Sequence, residues 1–181
     1  MDKKEFYYPS LEKLKTEEID TIKLSDFKNY NELIGELENL NYRNKYGLLK
    51  LENDNEIFNL MLTTRYGYCY GGPIIKEKNL IVISEDSIKK NEEIFGIDSL
   101  PTILKKDLNN NGKINRYAES SEKLRISIAL KNPENYHQME SYLKNLIGEF
   151  NELNETKKYE LNIQIDRDFH FWRNLKKNLP E

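Results

Sequence analysis

The sequence has little of the chemistry on which most catalytic and metal sites are built. It contains one cysteine, Cys69, and two histidines, His137 and His170, which lie far apart along the chain. A single cysteine cannot form an intramolecular disulfide, and this cysteine usage is typical of a reducing cytosol. The spacing of these three residues is not that of a zinc site, and no Gly-x-Ser-x-Gly turn presents a nucleophilic serine. The sequence therefore predicts no cofactor and favours a binding protein over an enzyme.

Long apolar runs and long runs of one charge are also missing. The net charge is only −3, because 28 basic and 31 acidic residues are mixed along the chain. The absence of a basic run argues against nucleic acid and anionic membranes as partners. The first residues carry charges where a secretory signal or a membrane span would be apolar. These features predict a soluble, cytoplasmic protein; the alternative is an envelope-associated domain whose leader has been removed.

What the sequence does contain is periodic, and its 181 residues suit one domain. Residues 1–9 and 174–181 are predicted to be flexible, with Phe6, Tyr7 and Tyr8 as docking points of the N-terminal arm. The rest of the N-terminal half predicts a helix over 11–18, a strand over 19–24, a helix over 27–40 capped by Ser25 or Asp26, and a hairpin formed by 46–51 and 56–64.

The C-terminal half alternates strands and helices in the order β-α-β-α-β. Each connection contains a helix and is long enough for a parallel crossover, although the same strands could also pair antiparallel. The fold class predicted is α+β: a mixed sheet with an N-terminal hairpin, the β-α-β-α-β half, and helices mainly on one face. The strands are expected at 80–83, 124–130 and 160–166, with helices beginning near Ser99 and Pro133.

Carboxylates follow two of these three strands. If the strands are parallel, their carboxyl ends share one edge of the sheet, where ligands of open α/β sheets bind. A magnesium ion held there would support phosphate chemistry. The plain alternative is that these are solvated residues at strand ends. The candidate ligands are Glu85, Asp86, Asp166 and Asp168.

The segment from Asp107 to Ile114 resembles the opening of a calcium-binding loop. Asp107, Asn109 and Asn111 have the required spacing, and Gly112 stands at the sharp turn. The position of the closing glutamate is occupied by Ala118, which would leave calcium weakly held. The alternative is a helix that ends at Gly112.

Two aromatic segments are candidate contact surfaces for a protein partner. In a strand, the tyrosines of the first segment share one face, and tyrosine offers contact area and a hydroxyl at low entropic cost. The second segment contains the only tryptophan, beside an arginine, and both residue types are favoured in interface hot spots. Packing within the fold is the alternative in both cases. The residues are Arg65, Tyr66, Tyr68 and Tyr70, followed by Phe171, Trp172 and Arg173.

These observations predict a non-enzymatic protein-binding module, and the specific hypothesis is a small bacterial immunity protein that blocks a toxin. The second hypothesis is a magnesium-dependent phosphohydrolase or phosphotransferase that uses the carboxylates at the strand ends. The two differ in whether those carboxylates converge on one ion.

Overall fold

A mixed sheet with α-helices packed mainly on one face forms the protein, which confirms the α+β class. The computed structural model describes residues 3–64, 75–155 and 159–167. Within them the strands are β1 (Lys4–Tyr8), β2 (Ile19–Ile22), β3 (Tyr46–Glu52), β4 (Glu56–Thr64), β5 (Leu80–Ile83), β6 (Ser87–Lys90), β7 (Glu93–Gly96), β8 (Arg125–Ile128) and β9 (Ile163–Ile165). The helices are α1 (Leu11–Leu14), α2 (Tyr30–Tyr42), α3 (Leu100–Asn110) and α4 (Met139–Leu153).

The order of strands across the sheet is β2-β3-β4-β9-β8-β5-β6-β7, and β1 also pairs with β4. Strands β5, β8 and β9 are parallel, so the parallel form of the predicted β-α-β-α-β half is confirmed. The hairpin of β3 and β4 is antiparallel, as predicted, and β4 joins the rest of the sheet by pairing parallel with β9. The carboxyl ends of β4, β5, β8 and β9 therefore lie at the same edge.

The N-terminal segment is a strand where a flexible arm was expected. Lys4 to Tyr8 pair in parallel with the first half of β4, from Lys4 opposite Glu56 to Tyr8 opposite Leu60. Aromatic packing holds this strand in place: the Tyr8 ring meets the Phe150 ring edge to face at 6.1 Å between centroids. Three consecutive aromatic residues hide the alternation that normally identifies a strand, because one of them faces away from the core.

The hairpin of β6 and β7 was not expected from the sequence. Its turn contains Asn91 in the left-handed region, with a φ of 55°. The strand β6 ends in two consecutive lysines, and Ile94 in β7 is 54% exposed, so neither strand has the apolar pattern of a sheet. Pairing with the central strand β5 organises this segment in spite of its composition.

The core lies between the sheet and the three longer helices. Alternate residues of the strands form one apolar cluster with the buried stripes of α2, α3 and α4, which confirms that these helices pack on the same face. The opposite face carries a smaller cluster of Leu80, Val82 and Ala129. The helix residues in the main cluster are Tyr30, Leu33, Ile34, Leu37 and Leu40 of α2, Leu100, Ile103, Leu104 and Leu108 of α3, and Met139, Leu143, Leu146, Ile147 and Phe150 of α4.

Helix α2 begins three residues later than the sequence indicated. The side chain of Asn29 accepts a hydrogen bond from the Glu32 amide at 3.0 Å, so Asn29 is the N-cap in place of Ser25 or Asp26. Phe27 is extended and follows a short 3₁₀ turn formed by Leu24–Asp26. None of the helices in residues 3–64, 75–155 and 159–167 could span a membrane.

Substitution of glycine by alanine is expected to stabilise the fold at two positions and to destabilise it at a third. A Cβ at Gly35 in α2 or Gly148 in α4 would meet nothing within 4 Å, so Gly35→Ala and Gly148→Ala should each stabilise the fold by about 0.5–1 kcal/mol. A Cβ at Gly47 in β3 would lie 2.7 Å from Leu37 Cδ2 and 3.1 Å from Ile22 Cδ1. Gly47→Ala should therefore destabilise the fold by roughly 1–3 kcal/mol. Urea unfolding of the three variants checks both signs, and equal effects at all three sites would contradict this account of α2 packing on β3.

Candidate functional site

The residues predicted to contact a partner lie outside the described part of the chain. This holds for Arg65, Tyr66, Tyr68, Tyr70, Phe171, Trp172 and Arg173, and also for Asp168, Cys69 and His170. These assignments stay predictions. The other candidates can be located.

Glu85 follows β5 at the carboxyl edge, as the magnesium hypothesis requires, but its carboxylate is used to hold two loops together. It accepts hydrogen bonds from the backbone amides of Lys131 and Asn132, both at 3.0 Å, and from Nδ2 of Asn135 at 3.1 Å. Burial raises the pKa of Glu85, but these hydrogen bonds outweigh it and hold the pKa below its ordinary value. The loop after β8 is thereby fixed to the loop after β5.

Asp166 and Asp86 are also engaged by neighbouring side chains. Asp166 is buried after β9 and accepts hydrogen bonds from the Ser127 hydroxyl and from Nε2 of Gln164, the latter at 3.0 Å. Asp86 forms an ion pair with Lys131 at 2.6 Å. Within residues 3–64, 75–155 and 159–167, no three carboxylate, imidazole or thiolate side chains are placed to hold one metal ion. The strand ends share an edge as expected, but their described carboxylates act separately.

The same edge is closed from the helix side by Tyr30 of α2. Its hydroxyl lies 2.8 Å from the carbonyl oxygen of Ile128 and 2.7 Å from that of Asp166, at the ends of β8 and β9. Tyr30 is 1% exposed, and burial raises the pKa of its phenol well above the ordinary value. The hydroxyl is therefore an uncharged donor that joins α2 to two strand ends.

The residues proposed to bind calcium lie in α3 or form its C-terminal cap. Asp107 lies within the helix, and Asn109 donates to the Lys105 carbonyl at 2.9 Å, within the same helix. Asn111 takes a left-handed conformation as the C-cap, and Gly112 follows with a φ of 74°. This geometry corresponds to the alternative of a helix that ends here.

Asp107 instead forms a buried ion pair with Lys90 of β6. The Lys90 ammonium is 2.8 Å from Asp107 Oδ1 and 2.6 Å from the Lys78 carbonyl oxygen, and the same carboxylate oxygen accepts the Ala118 amide at 2.6 Å. Burial lowers the pKa of Lys90 and raises the pKa of Asp107, since each charge has left water. Because each charge has the other as its partner, the pair joins β6, α3 and the segment after the helix.

A cleft beside β1 is the feature that sequence reasoning missed as a site. Its volume is about 620 Å³, and it separates the outer edge of β1 from the C-terminal end of α4 and the chain before β9. We call it the β1 cleft. The only sequence signal was the aromatic run that begins at Phe6, which was read as part of a loose arm. The lining residues are Lys4, Glu5, Phe6, Tyr7, Tyr8, Pro9, Ser10, Leu11, Glu56, Phe150, Asn151, Asn154, Glu155, Tyr159, Glu160 and Leu161.

Aromatic rings form the walls of the β1 cleft and are held in fixed positions. The Tyr8 hydroxyl donates to Asn151 Oδ1 at 2.7 Å, and burial raises the pKa of Tyr8 to about 12. Phe6 packs on Phe58 at 5.5 Å between ring centroids, and the Lys4 ammonium lies 4.5 Å from the Phe6 ring centroid. Such rings supply contact area that is already ordered, so little side-chain entropy is lost on binding.

The described residues that line the β1 cleft carry mostly negative charge. Among them are four glutamates and one ammonium group, that of Lys4. Glu160 is neutralised, because it accepts hydrogen bonds from the Lys13 ammonium and from the Ser10 hydroxyl at 2.9 Å. The other three are Glu5, Glu56 and Glu155.

A second cleft, of about 540 Å³, lies between α3 and α4. Its floor contains Ile83 and Ile128 at strand ends, and Gly148 leaves its α4 wall open. Lys144 on its rim already donates to the Glu52 carbonyl at 2.8 Å and pairs with Glu140. The described residues around it supply neither an unpaired strand edge nor the several aromatic rings found in the β1 cleft.

The buried pair gives a prediction with a defined pH dependence. Lys90→Met would leave the Asp107 carboxylate buried without a cation, and we expect a loss of about 3–5 kcal/mol near neutral pH. The native state would then bind a proton on Asp107 at a higher pH than the unfolded state does. The loss should therefore be smallest at acid pH and grow as the pH rises through the raised pKa of Asp107.

Urea unfolding over a pH series measures this effect. Adding Asp107→Asn should restore much of the stability, because an asparagine oxygen can still accept the Ala118 amide. A double variant as unstable as Lys90→Met near neutral pH would show that the loss comes from packing and not from the unpaired charge.

Comparison of the chain with protein-family models, with curated proteins and with solved structures gave no match in any of the three. The interpretation of the β1 cleft therefore depends on its geometry and chemistry.

Proposed function

We propose that this chain is a non-enzymatic protein-binding module of the bacterial cytoplasm that neutralises a toxin by docking on it through the β1 cleft. The observation that carries the proposal is the cleft itself, in which fixed aromatic rings border an accessible strand edge. Tyrosine and phenylalanine are enriched at protein interfaces, because a large apolar ring is combined with few rotatable bonds.

The hydrogen bonds made by the carboxylates that were considered as metal ligands support binding over catalysis. Glu85, Asp107 and Asp166 each accept hydrogen bonds that hold elements of the fold together. A general acid, a general base or a metal ligand has to face its substrate or ion. The magnesium hypothesis has no comparable support in the described residues.

The proposal predicts that protection from a toxin depends on the β1 cleft. The test is growth of a bacterial host that expresses the product of a toxic neighbouring gene, with and without this chain. Tyr7→Ser combined with Glu155→Arg should abolish both protection and co-purification, because the double change removes a ring and reverses a charge in the cleft.

The matched control is Tyr42→Ser, which removes a tyrosine that is 85% exposed at the end of α2 and does not line the cleft. This variant should protect as well as the unaltered chain, and thermal unfolding should show that all variants are folded. If no neighbouring gene product is bound, or if the cleft variant protects fully, the proposal is overturned.

A further inference from the structure

We infer that the occupant of the β1 cleft is an extended, basic segment of a partner protein, which adds to the outer edge of β1 as one more strand. This inference rests on the proposed function and deepens it, because it names the class of partner segment and the way it binds. Three features of the cleft support it: the open strand edge, the surplus of carboxylates and the end of α4.

The first feature is the backbone of β1. Among the described residues, β1 pairs with β4 alone, and the Lys4 amide donates to the Asn55 carbonyl at 2.9 Å. In a parallel ladder the N–H and C=O of one residue point to the same side, and successive residues alternate. The backbone groups of Glu5 and Tyr7 are therefore directed to the outer edge. An extended peptide can pair with them, as in other cases of strand addition.

The second feature is the charge along this edge. In the part of the chain that the structure describes, the hydrogen-bond donors to the carboxylates of Glu5 and Glu56 are neutral. They are the Tyr7 hydroxyl and Nδ2 of Asn59 at 3.5 Å for Glu5, and Nδ2 of Asn53 at 3.1 Å for Glu56. Glu155 is exposed at the rim. Lysine or arginine side chains of a bound strand would neutralise these carboxylates, whereas an acidic segment would be repelled.

The third feature is the C-terminal end of α4, where Asn154 is the C-cap and also lines the cleft. The last carbonyl groups of a helix carry a partial negative charge, and this favours cations close to them. The half-buried ring of Phe6 attracts a cation in the same region. The Lys4 ammonium already occupies such a position over Phe6.

The experiment uses short synthetic peptides with the intact chain. The probe alternates lysine and valine over six residues; one comparison peptide replaces lysine with glutamate, and another carries N-methyl groups on alternate amides. Affinity is measured by fluorescence anisotropy, and the amide signals of Glu5 and Tyr7 are followed by NMR. The lysine peptide should shift both signals and bind roughly tenfold or more tightly than the N-methylated form, since N-methylation removes the ladder donors.

Matched variants test the charge. Glu5→Gln with Glu155→Gln should weaken binding of the lysine peptide several-fold and reduce its dependence on salt. Glu134→Gln with Glu152→Gln removes the same charge outside the cleft and should leave the affinity unchanged.

Each alternative result overturns the inference in a recognisable way. Equal binding of the N-methylated peptide would exclude strand addition, and equal binding of the glutamate peptide would exclude recognition of basic segments. A dimer of this chain that is lost on Tyr7→Ser would identify a second copy as the occupant. Toxin protection without binding of the lysine peptide would overturn the inference and leave the proposed function standing. Peptide binding without any protection would support strand addition and overturn toxin neutralisation.

Discussion

The parallel pairing of β1 with the first half of β4 is the constraint on which the candidate site depends. Strand β4 is long enough to pair with β1 through residues 56–60 and with β9 through residues 62–64, on the same side. Because β1 occupies the position beside the first half of β4, the chain before β9 cannot pair there. The β1 cleft lies between β1 and this part of the chain. The aromatic residues of β1 hold this arrangement, since Tyr8 packs on Phe150 and bonds to Asn151.

The described polar groups at the carboxyl ends of the parallel strands hold the fold together and do not form an open site. The Tyr30 hydroxyl and the carboxylates of Glu85 and Asp166 all lie at strand ends that, in many open sheets, would hold a ligand. Here each makes hydrogen bonds to the chain itself, so their polarity joins α2 and two loops to the sheet. The ion pair of Lys90 and Asp107 does the same for β6 and α3. Charged residues that the sequence suggested as a reactive site therefore stabilise the tertiary structure. Each has a partner within the fold, because burying an unpartnered polar group costs free energy.

The fold could be predicted to a large extent, and the site only to a small one. The stripes of α2, α3 and α4 follow from apolar periodicity, because the spacing of apolar residues determines which face of a helix is buried. The hairpin of β3 and β4 follows from the turn-forming residues between its two strands. The paired strand β1 and the hairpin of β6 and β7 could not be predicted, because their residues lack that pattern and are organised by a neighbouring strand. The cleft was missed for the same reason, since its walls come from segments that are about 150 residues apart.

By itself the sequence determined the α+β class, the faces that the longer helices bury and the scarcity of thiol and imidazole groups. All three depend on composition or on the spacing of residues within one segment, so they can be obtained without knowing which segments meet in space. Only the tertiary structure decided that Asp107 pairs with Lys90, that Glu85 closes a loop, and that one edge of β1 is left unpaired by the described strands beside three glutamates. These are pairings between distant segments, and their free energy depends on burial and on the nearest partner in space, which no local pattern records.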